Sequence, residues 1–271
     1  MGQIVGAFGV SHAPAMTGRP EAAPSDQVAS LRAAFGELQA RIDALHPDTL
    51  VLIAAEHWAN FFLDNYPAFC VGMGDSFDGP MEEWIRIDKV KIPGNPSLAR
   101  DIVEDAMDSG IEPAISQSLR LDHGSMVPLH FLTPRMDVPL VPIIQNCLQP
   151  PMPRPSRCYE FGQSIGRSIA RRPERVVMVA SGGLSHWPGH QRHGEINTAW
   201  DDRVLRILAD GDAEQLSRYS DAEIAEGGTG AAELRNWITL LGATGPRKAE
   251  VLAYEPVTAF ATGCAVTAIA C

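Results

Sequence analysis

The chain has 271 residues, enough to bury a large core as one big α/β domain or two modest ones. Its 22 basic residues against 33 acidic ones leave a net charge of −11, which argues against a nucleic-acid or anionic-membrane surface. No apolar run approaches the roughly 18 residues needed to span a bilayer. The start MGQIVGAF lacks the basic region of a signal peptide, and Gly6 stands where a myristoylation pattern needs Ser or Thr. The five cysteines (Cys70, Cys147, Cys158, Cys264 and Cys271) form no CxxC pair. That pattern reads as reduced and cytoplasmic, not as a disulfide framework or a thiolate zinc site.

Residues 4–10 form an apolar strand that runs into Ser11 and His12. SHAPAMTGRPEAAP follows, a loop long enough to be functional or mobile. Ser25 and Asp26 open a helix through Leu45, with Val28, Leu31, Phe35, Leu38 and Ile42 at helical spacing. His46, Pro47 and Asp48 end it, and a second strand at 50–55 runs into Glu56 and His57. The aromatic-rich stretch beyond is expected to pack beside a pocket before a strand at 68–73. Residues 74–97, with charges, Gly79–Pro80, Pro93 and Pro96, read as an excursion without a period. Asn95 or Ser97 can cap a helix through about Met107. Residues 115–121 read as extended, placing His123 after a strand-like run, and a short helix is expected over 128–132.

A strand at 138–146, a proline-rich connector and an amphipathic helix at 159–171 lead to RVVMVASGGLSHWPGH. Here Val176 to Ala180 do not alternate, which suits a strand buried on both faces. Ser181, Gly182 and Gly183 break it, and His186 follows. Helices are expected at 196–209, 212–219 and 231–241, the last introduced by EGGTGA. The end, VLAYEPVTAFATGCAVTAIA, reads as two strands or as a strand and a buried segment. The chain is therefore expected to be a single α/β domain over residues 1–271, with a mainly parallel central sheet flanked by helices.

Of the eight histidines, His12, His57, His123 and His186 stand out because each follows an apolar strand-like run. If those strands are neighbours in one parallel sheet, their ends converge on one crevice, where α/β proteins bind ligands. His46 ends a helix, and His130, His190 and His193 share no pattern. Two histidines and a carboxylate, with open positions, suit divalent iron that must also take substrate and O₂. Zinc can use the same donors. The carboxylate candidates are Glu56, Asp122, Glu226 and Glu233, and spacing does not choose among them, although a glycine-rich turn could present Glu233.

The chain resembles the class III (LigB-type) extradiol ring-cleavage dioxygenases, in particular the catalytic β subunit of protocatechuate 4,5-dioxygenases. The likeness covers nearly the whole chain. It rests on SHAP around His12, LIAAEHWANFFLDNYPAFCVG around His57, LDHGSMVPL around His123, SGGLSHWPG around His186 and GAAELRNWITLLGA around Glu233. The resemblance implies Fe(II) held by His12, His57 and Glu233, with His186 as acid–base and His123 as a second active-site histidine. The implied reaction is O₂-dependent meta cleavage of a catechol-type ring, with gallate-, protocatechuate- and aminophenol-type rings also open. It implies as well a covered site, by a small helical lid subunit or by another copy in a homo-oligomer, because the chain ends shortly after its last core segment. The rival readings are a zinc hydrolase on the same ligands and a non-catalytic interaction protein.

Overall fold

In the computed structural model, which describes residues 3–270, the unalternating apolar runs become one sheet. Its strands are β1 (Gln3–Val10), β2 (Thr49–Ala54), β3 (Phe69–Gly72), β6 (Ala114–Ser116), β7 (Leu140–Gln145), β8 (Arg175–Ser181), β9 (Ala249–Val257) and β10 (Thr262–Ile269). A separate hairpin contains β4 (Ser76–Gly79) and β5 (Val90–Pro93). The large sheet has the order β6-β3-β7-β2-β8-β1-β10-β9. Its centre, β7-β2-β8-β1, is parallel throughout, as expected. The flanks are mixed, because β10 runs antiparallel to β1 and β9, and β3 runs antiparallel to β7.

Both faces of the sheet are covered, which is why every residue of β2 and β7 is buried. Helices Pro96–Asp108, Pro155–Ala170, Thr198–Asp210 and Leu234–Thr244 cover one face, bringing Ile102, Phe161, Ile165, Trp200 and Ile238 against Val51, Ile53 and Met178. Helices Ser25–Leu45 and His123–Leu132 cover the other, with Leu31, Phe35, Leu38 and Met126 against Leu50, Leu52, Val177 and Val179. The first of these helices matches its expected bounds and ends at His46, whose φ of 44° takes the chain into the left-handed turn.

Three expectations need correction. Residues 74–97 contain the β4–β5 hairpin, registered from Ser76 opposite Pro93 to Gly79 opposite Val90. Strands of four residues are too short to show a period. Within 115–121 only the first two residues belong to a strand, and His123 follows no strand. It opens the helix expected at 128, and the Asp122 carboxylate caps that helix by accepting the Gly124 N–H at 3.0 Å. Residues 231–241 begin as a 3₁₀ turn, Gly230–Glu233, before the α-helix. The loop after His12 is also partly ordered into the helical turns Ala15–Gly18 and Pro20–Ala22.

Candidate active site

The neighbours β1, β8 and β2 end at the same edge of the sheet, with Val10 opposite Ser181 and Ser181 opposite Ala54. His12 lies two residues past β1 and His57 three past β2, so both come to one crevice. Their inner nitrogens are oriented from behind. The His12 Nδ1 stands 2.8 Å from the Ser181 hydroxyl, which itself donates to the Gly124 carbonyl. Ser181 has spent its only proton, so His12 is the donor and its Nε2 is bare. Pro128 makes this possible. Lacking an N–H, it leaves the Gly124 carbonyl, four residues back in the same helix, free for Ser181. On the other side the His57 Nδ1 stands 3.1 Å from the Asp122 carboxylate, which can only accept, so in the neutral ring its Nε2 is bare as well.

Both bare nitrogens face one atom. The Glu233 Oε1 lies 3.2 Å from the His12 Nε2 and 3.2 Å from the His57 Nε2. Its second oxygen accepts the Gly183 N–H at 2.6 Å. With both imidazoles neutral, three acceptors are aimed at a common point, an arrangement relieved by a cation among them, either a proton on His57 or a metal ion. Donors bound at about 2.1 Å on adjacent corners of a metal stand about 3 Å apart, so the spacing fits an ion bound by nitrogen and oxygen. The ligand atoms of His12, His57 and His123 also fall within 4.8 Å of one another, as do those of Glu82, Asp122 and His123.

The other carboxylate candidates are used elsewhere. Glu56 is fully buried and turns back on its own loop, accepting the N–H groups of Trp58, Asn60 and Phe61. Glu226 pairs with Arg203 at the surface. Asp122 orients His57 by accepting both its ring nitrogen and, at 2.7 Å, its backbone N–H.

His186 stands apart from the cluster. Its Nδ1–H donates to the Leu184 carbonyl at 3.0 Å, so its Nε2 is the free acceptor, 3.9 Å from Glu233. The ring is seated by the glycine-rich turn, whose glycines serve close approach more than flexibility. Gly228 has φ of +105°, and a Cβ on Gly230 would lie 2.1 Å from the His186 Nε2. Behind it, Ser185 is anchored on the buried Asp201, which also accepts the Tyr254 hydroxyl at 2.6 Å. His123 has a partner that sequence reasoning missed, Glu82 from the hairpin, at 2.6 Å from its Nδ1.

Burial lowers His57, but Asp122 and Glu233 outweigh it and push the imidazole up to about 10. Burial raises Asp122 and Glu233, yet the neighbouring imidazoles hold both carboxyls below their ordinary values. His123 is lowered by burial and by His57, against the pull of Glu82. Burial also raises Asp201 against the bonds from Tyr254 and Ser185.

The five groups His12, His57, His123, His186 and Glu233 line one cavity of about 510 Å³. Pro14, Trp58, Leu148 and Phe260 give it apolar walls, and the exposed Pro188 and His193 stand at its mouth. Neither Arg nor Lys is among its lining residues. His46, His130 and His190 take no part. Four cysteines, Cys70, Cys147, Cys158 and Cys264, are buried free thiols, while Cys271 lies outside the described residues.

A sheet of this order, with histidines at adjacent strand ends around a buried glutamate, makes an α/β fold with a candidate metal site. Residues 6–265 match the family model described as the catalytic LigB subunit of aromatic ring-opening dioxygenase, and the chain belongs to that family. It is 30% identical to a 2,3-dihydroxyphenylpropionate/2,3-dihydroxicinnamic acid 1,2-dioxygenase of Photorhabdus laumondii, with 94% of each chain covered. It is 28% identical to the protein of the same description from Paraburkholderia xenovorans, with 92% of each covered. The fold also matches the crystal structure of an uncharacterized Escherichia coli K12 protein with a TM-score of 0.66, at 18% identity over 97% of this chain and 98% of that one. The chain is thus an extradiol-type ring-cleaving dioxygenase, as the motifs around its histidines had implied.

Proposed function

We propose that the chain, as a single catalytic domain over residues 1–271, is an Fe(II)-dependent enzyme that opens catechol rings beside their two hydroxyls. In this reading His12, His57 and Glu233 hold the metal, His186 is the acid–base group and His123 contacts the bound substrate. The observation that carries it is the pair of 3.2 Å approaches of imidazole Nε2 atoms to the Glu233 Oε1. One oxygen shared in this way supports Glu233 as the third ligand beside His12 and His57. Bound Fe(II) would supply open positions for both catechol oxygens and O₂, and a route for electron density between them. A free phenolic hydroxyl ionises near pH 10, so a base must take a proton as the substrate binds. The His186 Nε2 is the free acceptor placed for that, and the same atom can return the proton as the ring opens. The apolar walls keep water from the reacting atoms.

The cavity exceeds what a bare catechol needs, so the substrate is a catechol with a side chain, as in the named relatives. With neither Arg nor Lys in the lining, a neutral side chain should serve at least as well as a carboxylate-tipped one. Trp58 (39% exposed), Phe62 and Leu63 belong to one exposed apolar segment whose first residue lines the cavity. They support a cover supplied by a second copy or by a small helical subunit. The buried free thiols favour the cytoplasm.

The test is anaerobic metal removal and Fe(II) reloading, followed by O₂ uptake and product absorbance with catechol, 3-propylcatechol and 2,3-dihydroxyphenylpropionate. Activity restored by Fe(II), consuming one O₂ per ring, supports the reading. Hydrolysis with zinc and no O₂ uptake defeats it.

A further inference from the structure

Beyond the crevice of strand ends, one carboxylate reaches this site from another part of the chain. Glu82 lies in the tip of the β4–β5 hairpin, the excursion between two proline-bearing turns. The hairpin is tied to the segment leading into the site. The Leu121 N–H donates to the Asp78 carbonyl at 2.9 Å, and the Met81 N–H donates to the Leu121 carbonyl at 2.8 Å. Packing is close enough that a Cβ on Gly79 would meet the Met126 Sδ at 2.6 Å. The backbone on either side of this contact, at Met81 and at Leu121, is thereby locked together.

One oxygen of Glu82 then takes two donors from a single residue. Its Oε1 accepts the His123 Nδ1–H at 2.6 Å and the His123 backbone N–H at 3.1 Å. The second of these is among the first N–H groups of a helix, which have no partner within it. A carboxylate only accepts, so the ring proton sits on Nδ1 and the Nε2 is left bare for the cavity that His123 lines. Glu82 itself is not in that lining. Its other oxygen, Oε2, is buried without a hydrogen-bond partner, so the side chain is committed to His123 alone. Burying a carboxylate half-satisfied is costly, and a merely structural contact could be replaced by apolar packing.

We infer that Glu82 is a positioning residue for the ring-opening reaction, holding His123 as the Nδ1–H tautomer with its Nε2 presented to the substrate. The inference rests on the proposed role of His123 at the substrate, and it makes the hairpin part of the active site.

The test has two arms. In iron-free protein labelled with ¹⁵N-histidine, the His123 signals are identified by their loss in His123→Ala. The wild type should show Nδ1 protonated and Nε2 bare. Glu82→Met, similar in volume without an acceptor, should lose that preference, and Glu82→Gln should keep it through its amide oxygen. In Fe(II)-loaded protein Glu82→Met should lower kcat by about 10- to 100-fold, with KM, iron content and melting temperature unchanged. Glu82→Gln should recover most of that loss. On a His123→Ala background Glu82→Met should cost nothing further. An unchanged His123 tautomer in Glu82→Met, or an undiminished kcat loss on the His123→Ala background, overturns the positioning role. Full turnover by His123→Ala sinks instead the underlying reading of His123, whatever the tautomer shows.

Discussion

The site is assembled from two regions built on different principles. On one side His12, His57 and the Gly182–Gly183 turn follow the ends of β1, β2 and β8, where backbone ladders fix each position. On the other, His123 opens a helix, and its ring is held through Glu82 from a small separate hairpin. The ladder fixes where the His12 and His57 backbones stand, and Ser181 and Asp122 then orient their rings. A group set by one side-chain contact can be detuned while everything else stays in place. In the proposed reading, metal holding rests on the first kind of support and substrate contact on the second.

The largest effect should come from the shared ligand. Glu233→Ala should lose iron and all turnover while the circular dichroism spectrum stays native, checked by metal analysis of purified protein. If it keeps its iron while His186→Gln loses it, ligand and base have been exchanged. His186→Gln should keep iron and catechol binding and lose about 10²–10⁴-fold in kcat, the range for a missing acid–base group. Its pH–rate profile should lose one limb.

Gly230→Ala tests how closely that base is seated. The added methyl would sit 2.1 Å from the His186 Nε2, so the ring must move, and a misplacement of about 1 Å costs roughly 10²-fold in rate. Iron content should not change. Ser181→Ala probes the ladder side more gently. His12 would lose the acceptor that fixes its tautomer, and iron affinity should fall about 10- to 100-fold by competition with a chelator.

The smallest effect belongs to neither side. Asp105 ties helix Pro96–Asp108 to helix Pro155–Ala170 through Ser168 and the mostly exposed Arg171. Burial raises its carboxyl, but those bonds outweigh it and hold it below the ordinary value. A lowered folded-state value stabilises above the unfolded value near 3.9 and is lost as pH falls through the folded one. Asp105→Asn should therefore cost about 1 kcal/mol near pH 7, after allowance for solvent at Arg171. The difference from wild type should vanish in acid denaturation curves, with kcat untouched.

These two kinds of support also decide what was legible in the sequence. Runs such as Leu50 to Ala54 announce strands buried on both faces, so the crevice and the histidines just past β1 and β2 could be placed from the sequence. The choice among four carboxylates came only through the family resemblance, because spacing does not show where side chains turn. Glu56 adjoins His57 yet folds back on its own loop. His123 was expected after a strand because LRLDHG looks extended, and the missed signal was Asp122 as a helix cap. Glu82 had no signal at all. Its neighbour Glu83 is an exposed acid paired with Lys89, and nothing local separates the two.

The position of β10 also sets an order of events during synthesis. The N-terminal strand waits for partners far along the chain, since β8 begins at Arg175 and the Ala265 N–H reaches back to the Ser11 hydroxyl at 2.9 Å. His57 can meet Asp122 once residue 122 has left the ribosome, whereas His12 finds Ser181 only some sixty residues later. Until then β1 is an unpaired edge on a growing chain. The two histidines proposed as ligands therefore acquire their places at different times, and a nascent chain that ends before Ser181 lacks the hydroxyl that orients His12.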